Sequence, residues 1–215
     1  GYVYTYSIIA LDSEEPQNQS EFADEIEVYS GSFPEYLIWE PTLNSPLSGE
    51  ELKNDMDAIG QLSYLTNDLW ALGNPLQNNF KAIFMLTGIW PNNHELTSSE
   101  ESILFDYIES GGSVYMEDGD IWFNSFDLSI RDLFNCYGIE DGDGDISIIE
   151  GLEGTFTSGY SSEYNGENNW IDRLGILSSA FPLIINSDPE YAISVAYDGG
   201  SYRTIASSFE YGGLE

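Results

Sequence analysis

Carboxylates offer this chain most of its chemistry. Three stand together in Glu117-Asp118-Gly119-Asp120. Such a group can divide into a general acid and a base or nucleophile, as in glycoside hydrolysis. It can hold a hard cation, or it can be a solvated patch of an acidic surface. Asp141, Asp143 and Asp145 alternate with Gly142 and Gly144 in the manner of a calcium loop. The EF-hand template wants Gly at its sixth position and Glu at its twelfth, where counting from Asp141 gives Ile146 and Leu152. What remains is a looser calcium site completed by Glu150 or Glu153, or a Gly/Asp turn. A third group is Thr87-Gly88-Ile89-Trp90-Pro91-Asn92-Asn93-His94. Its indole and amides suit sugar or peptide recognition, and His94, the single histidine, can titrate or ligate. The same residues also read as a turn that caps the next helix.

Other chemistries lack their residues. Cys136 is the single cysteine, so no internal disulfide forms. A thiolate needs a nearby base or a positive field, and Cys136 sits in a strongly acidic chain, which makes it a small buried hydrophobe by expectation. No Gly-x-Ser-x-Gly occurs, and neither glycine-rich phosphate motif follows a strand.

Charge narrows the partners. Lys53, Lys81, Arg131, Arg173 and Arg203 face 38 acids, for a net charge of -33. Such a surface repels phosphate, which excludes nucleic acid and anionic membranes as partners. Salt relieves the self-repulsion, so sea water, brine or a calcium-rich extracellular space suits the chain. At 41% hydrophobic and 14% aromatic residues the 215-residue chain can bury a core, and no apolar run is long enough to span a membrane.

These groups need elements to hold them. Tyr2, Tyr4, Tyr6 and Ile8 alternate, as do Ile26 and Val28, which predicts a two-stranded hairpin around a polar loop at residues 12–20. Residues 31–34 read as a linker. Beyond it the rhythm changes: apolar runs at Tyr36–Trp39, Lys81–Thr87 and Ser113–Met116 predict buried strands. Ser48 with Glu51, and Thr97 with Glu100, predict capped helices between them, the second ended by Gly111-Gly112. Strand, helix, strand, helix, strand predicts a parallel sheet with flanking helices. After about residue 146, short strands at 182–185, 192–196 and 204–207 predict the far side of the same sheet. Ligands bind such sheets at the carboxyl ends of their strands, here Thr87–Trp90 and Glu117–Asp120.

Two resemblances follow. Tyr4-Thr5-Tyr6-Ser7-Ile8-Ile9-Ala10-Leu11-Asp12, with Ser20-Glu21-Phe22-Ala23-Asp24-Glu25-Ile26-Glu27-Val28, resembles the last two strands of a fibronectin type III module, over residues 1–30. Two strands do not stand alone, so the resemblance implies missing strands upstream and a chain excerpted from something larger. The stretch Phe80–His94, the helix, Gly111-Gly112 and Val114–Asp120, with Thr204–Leu214, resembles a flavodoxin-like domain of the class I glutamine amidotransferase-like superfamily, over residues 35–215. That resemblance implies a domain of a large secreted bacterial protein. It would also imply a catalytic cysteine at a turn after a central strand, where this chain has Gly88-Ile89-Trp90.

The expectation is an α/β fold with a flavodoxin-like parallel sheet, flanking helices and a β-rich C-terminal part, preceded by a short β-hairpin. Its role would be a non-catalytic accessory, spacer or binding domain of an extracellular or cell-surface protein. Its partners would be other domains of the same polypeptide and a glycan or protein ligand, and calcium is the one cofactor in view. Two alternatives stand: a hydrolase working through Glu117, Asp118 or Asp120 and His94, and a carbohydrate-binding surface centred on Trp90 or Trp122.

Overall fold

The computed structural model describes residues 2–7, 20, 26–30, 32–42, 48–124 and 129–214. Strand β1 (Tyr2–Tyr6) pairs antiparallel with β2 (Ile26–Ser30), Tyr2 opposite Ser30 and Tyr6 opposite Ile26. This is the expected hairpin. The loop expected at 12–20 lies, apart from Ser20, outside the described residues.

The remaining strands form one eleven-stranded mixed sheet. Along the chain come β3 (Tyr36–Trp39), α1 (Ser48–Ala58), β4 (Ser63–Thr66), β5 (Ala82–Gly88), α2 (Ser98–Glu109) and β6 (Ser113–Asp118). Two short helices follow, α3 (Ile121–Asn124) and α4 (Ser129–Asp132), then β7 (Cys136–Glu140), β8 (Ile148–Gly151), β9 (Ser161–Glu163), β10 (Arg173–Ile176), β11 (Ala180–Ser187), β12 (Glu190–Asp198) and β13 (Arg203–Ser207). The sheet order is β4-β3-β5-β6-β13-β12-β11-β8-β9, with β10 joining β12 to β7. The first five strands are parallel and the rest antiparallel. Counting only the parallel strands in chain order gives 2-1-3-4-5, the order of flavodoxin-like sheets, whose direction of winding reverses between the first and third. Here that switch point lies between β3 and β5.

The apolar runs form these strands because both faces of the sheet are covered. Alternation along each strand sends Trp39, Met85 and Met116 to the face that packs against α2 and Trp122. Ile38 and Leu86 go to the other face, against Leu52 and Met56 of α1. Helix α2 begins as expected. The Thr97 hydroxyl accepts from the Glu100 amide at 3.3 Å, and the Glu100 carboxylate accepts from the Thr97 amide at 2.7 Å. Gly111, at φ +104°, turns the chain out of the helix.

Four details differ from expectation. β6 runs on to Asp118, so Glu117 and Asp118 belong to the strand and not to a loop beyond it. Ser48 opens α1, but its hydroxyl accepts from the Gly212 amide at 3.0 Å. Ser63–Thr66 is a strand on the sheet's edge, too short and too polar to stand out in the sequence. Cys136 begins β7.

Candidate functional site

The carboxyl ends of the parallel strands hold most of the residues singled out above, but the fold divides them. Glu117 is buried on the α1 face, where its Oε2 accepts from the Tyr211 amide at 2.8 Å and the Tyr115 hydroxyl at 3.2 Å. Burial pushes its carboxyl up to about 8, against the hydrogen bond from Tyr211. Asp118 is buried on the opposite face. Its Oδ1 accepts from the amides of Asp120 and Ile121, both at 2.9 Å, and so caps α3. Its Oδ2 lies 2.7 Å from the Thr87 hydroxyl, and burial lifts it to about 7. Asp120 accepts from the Trp90 amide at 2.8 Å, which ties the loop after β5 to the loop after β6.

The His94 amide donates to the Thr87 carbonyl at 2.7 Å, but its side chain takes no part in that network. Its Nε2 lies 3.0 Å from Glu100, the capping residue of α2, and its ring packs edge-on against Trp39. The hydrolase constellation of Glu117, Asp118, Asp120 and His94 is therefore not assembled: Glu117 and Asp118 face apart, and His94 serves the helix start. Trp122 is 1% exposed, with its indole N–H on the Asp118 carbonyl at 2.8 Å, and so presents no platform to a sugar. Trp90 is 51% exposed and stands 5.0 Å from Trp170, ring edge to ring face. Burial pushes the Cys136 thiol up to about 12, as befits a packed hydrophobe.

The acids of the 141–145 loop have a protein cation. Arg173 reaches Glu140 at 2.9 Å, Asp143 at 3.1 Å and Asp145 at 2.9 Å, and its guanidinium stacks on Tyr191. Asp141 instead holds the Gly142 amide at 2.9 Å. Among the described residues no three His, Cys, Asp or Glu side chains are arranged to hold a metal ion.

The structure instead forms a small cleft, about 60 Å³, at the β3/β5 switch point. Leu86, Gly88, Trp90 and Asn92 line it from β5 and the following loop. Gly88 is at φ +89°, a conformation that a side chain would strain. Three acids that sequence reasoning did not single out complete it: Glu40, Glu167 and Glu210. Glu40 directly follows β3, and Glu210 lies three residues past β13. The strand-end rule that selected Glu117 would have found both had it been applied to those strands. Glu167 comes from a loop, with no signal of its own.

Glu40 is 3% exposed; its Oε1 accepts from the Gly49 amide at 3.1 Å, and burial raises its pKa. Glu210 is 6% exposed; its Oε2 accepts from the Glu167 amide at 2.8 Å, and burial lifts it to about 7. Glu167 goes the other way, held ionised by the amides of Asn169 and Asn168. A wider apolar groove of about 410 Å³ lies elsewhere on the sheet, lined by Phe156, Tyr160, Leu183 and Phe209 among others.

No family model matches the sequence, and no curated protein matches it. Solved structures share its fold. A cold-adapted β-galactosidase from Rahnella sp. R3 superimposes with a TM-score of 0.59 at 12% identity, over 84% of this chain and 30% of that one. The N-terminal domain of mmIFT52 gives 0.55 at 11%, over 84% of this chain and 88% of that one. A glutamine amidotransferase from Thermotoga maritima gives 0.51 at 8%, over 83% and 76%. The chain thus spans less than a third of the galactosidase. At these identities the likeness is one of fold, a mixed α/β architecture shared with an amidotransferase.

Proposed function

We propose that this chain is a non-catalytic binding or accessory domain of the flavodoxin-like, amidotransferase-like kind, and that its ligand site is the switch-point cleft. One observation carries the reading: the turn after β5, where an amidotransferase needs its cysteine, is Gly88-Ile89-Trp90, and the strand-end carboxylates beside it are engaged by backbone amides. Groups held that way tie the loops after β5 and β6 together and cap α3. The exposed Trp90–Trp170 pair supports a glycan or another small ligand with an apolar face. The net charge of -33 supports a salty extracellular or cell-surface setting, and the antiparallel pairing of β1 with β2 supports a neighbouring β-sandwich module in the same polypeptide.

A second reading has its own observation. Glu210, lifted to about 7, and Glu167, held ionised, meet at one cleft. Carboxyls driven apart in this way are the pattern of an acid/base pair. One experiment separates the two. The chain is incubated with chromogenic glycosides, glutamine and a peptide library, while tryptophan emission is titrated with oligosaccharides. The binding reading expects saturable quenching with no turnover. Turnover lost in Glu210→Gln would establish the hydrolase instead.

A further inference from the structure

We propose that Asn165-Gly166 is a site of spontaneous covalent modification, where the Asn165 side chain closes on the Gly166 amide, loses ammonia and becomes aspartate or isoaspartate, parting Glu167 from Glu210. The proposal does not depend on what the cleft binds.

Five steps in the chain place an Asp or Asn before a glycine: Asp118-Gly119, Asp141-Gly142, Asp143-Gly144, Asn165-Gly166 and Asp198-Gly199. A glycine has no Cβ, so its nitrogen can swing onto the side chain before it. Ring closure needs that side chain free to turn and that amide free of a partner. Four of the five steps are held. Asp118 is buried and caps α3, and the Gly119 amide donates to the Gly88 carbonyl at 3.1 Å. Asp141 Oδ1 holds the Gly142 amide at 2.9 Å, and Arg173 holds Asp143 at 3.1 Å. Asp198 takes the Gly200 amide and the Arg203 guanidinium, both at 2.9 Å, while the Gly199 amide donates to the Tyr202 carbonyl at 3.1 Å.

Asn165 differs. It is exposed, and among the described residues no hydrogen bond holds its carboxamide or the Gly166 amide. Folded chains pair nearly all their backbone amides, so an unpaired one beside a free asparagine stands out. A hydrogen bond that must break first slows such a step by about two- to tenfold, and here there is none to break. Asparagine is also the more labile residue: its side chain loses neutral ammonia, whereas an ionised aspartate must first be protonated.

The step balances with water as the one co-reactant. The Gly166 nitrogen gives up its proton and bonds to Asn165 Cγ. The Cγ–Nδ2 bond breaks, and Nδ2 leaves as ammonia with that proton. Water then opens the five-membered imide. Attack at Cγ gives aspartate. Attack at the main-chain carbonyl gives isoaspartate, whose backbone runs through the side chain and is one methylene longer. That methylene enters a tight place. The Asn165 amide donates to the Gly213 carbonyl at 2.8 Å, and the Glu167 amide donates to Glu210 Oε2 at 2.8 Å. Lengthening the chain between these two bonds parts Glu167 from Glu210, and both line the cleft.

The test holds the intact chain at mildly alkaline pH, folded and in urea, and follows each glycine step by peptide mass spectrometry and isoaspartyl methylation. The folded chain should gain the mass of an amide-to-acid exchange at residues 165–166, at a rate within about tenfold of that in urea. The four Asp-Gly steps should lag behind it, and Asn165→Gln should abolish the change and keep the native melting temperature. The isoaspartyl form, separated by anion exchange, should melt below the native chain and shift its tryptophan emission. No conversion in the folded chain while the chain in urea reacts would overturn the proposal, as would equal conversion at Asp143-Gly144. An isoaspartyl form with native melting and emission would overturn its link to the cleft.

Discussion

Glu117 and Asp118 are neighbours on β6 whose carboxyls lie on opposite faces of the sheet, one taking the Tyr211 amide at 2.8 Å and the other capping α3 through two amides at 2.9 Å. A strand alternates its side chains, so two consecutive acids inside it cannot work on one substrate. The same alternation puts Leu86 and Gly88 of β5 on the α1 face, where they meet Glu40, and leaves Thr87 to Asp118. The cleft therefore draws its acids from just beyond β3 and β13 and from the loop before β10, and not from the acidic run that dominates the sequence.

Stability should rise on mild acidification. Burial lifts Glu117 to about 8, Asp118 to about 7, Asp172 to about 8 and Glu210 to about 7. Unfolded carboxyls titrate near 4, so between about pH 4 and pH 8 the folded state holds protons that the unfolded state has lost. Their contribution is full below the unfolded pKa and disappears as pH rises through the folded values. The melting temperature should climb by several degrees from pH 8.5 to pH 5.5 at constant salt. Below about pH 4.5, protonation of Glu100 and Glu167, both held low, works against this gain. A melting temperature flat or falling between pH 8.5 and 5.5 contradicts this account.

Asp118 acts as a cap more than as a charge. Asp118→Asn keeps an oxygen for the Asp120 and Ile121 amides and should cost under about 1 kcal/mol, whereas Asp118→Ala strands two amides, while the Thr87 hydroxyl keeps the Glu117 carbonyl at 2.8 Å, and should cost about 2–3 kcal/mol. Urea unfolding of both variants at pH 7 gives the comparison. Equal losses would mean that the carboxylate's charge is what counts.

Much of this fold can be read from residue pattern, and most of the site cannot. β3, β5 and β6 are apolar runs because both faces of each are covered, and the Thr97–Glu100 box announces α2 from four residues. β4, by contrast, is a four-residue edge strand whose Ser63 and Thr66 dilute its signal. Glu40, Glu167 and Glu210 come together only through the sheet order, since β13 returns beside β6 some ninety residues later in the chain. In a chain with 38 acids, local sequence cannot say which three will share a cleft. Arg173 is a similar case: Asp143 and Asp145 look like metal ligands until β10 brings a guanidinium to them.

That guanidinium fixes the response to calcium. The native protein should show no calcium-specific change in melting temperature at fixed ionic strength. Arg173→Gln should lose about 1–3 kcal/mol, because Glu140, Asp143 and Asp145 then repel one another and the stacking on Tyr191 goes. Calcium should restore part of that loss in the variant, and chelator should remove the gain. A calcium shift in the native protein equal to that in the variant would mean that Arg173 does not stand in for a metal.

Cys136 should be chemically silent. It is 3% exposed and its thiol is pushed up to about 12 by burial, so the thiolate fraction at pH 8 is negligible. A chromogenic disulfide reagent should leave the folded chain unmodified for hours and titrate one thiol in denaturant. Rapid reaction of the folded chain would place Cys136 in a mobile, accessible environment that the packing around β7 forbids.

Gly119 decides where the two tryptophans stand. Its amide donates to the Gly88 carbonyl at 3.1 Å and its carbonyl accepts from the Asp172 amide at 3.0 Å, locking the loops after β5 and β6 to the segment that carries Trp170. A Cβ there would lie 2.7 Å from the Trp170 carbonyl oxygen and 2.7 Å from Ile89 Cγ2. Backbone on one side and a packed isoleucine on the other leave it no room, so Gly119→Ala should cost about 1–3 kcal/mol, the usual range for overpacking. It should also spread Trp90 from Trp170, shift tryptophan emission and weaken any ligand that quenches Trp90. Gly154→Ala is the control. Gly154 is at φ +86° with open space around it, so its alanine variant should cost about 1 kcal/mol from the backbone alone and leave emission unchanged. If the two variants lose the same stability with native emission, the contact at Gly119 does not position Trp170, and the cleft's aromatic wall is set elsewhere.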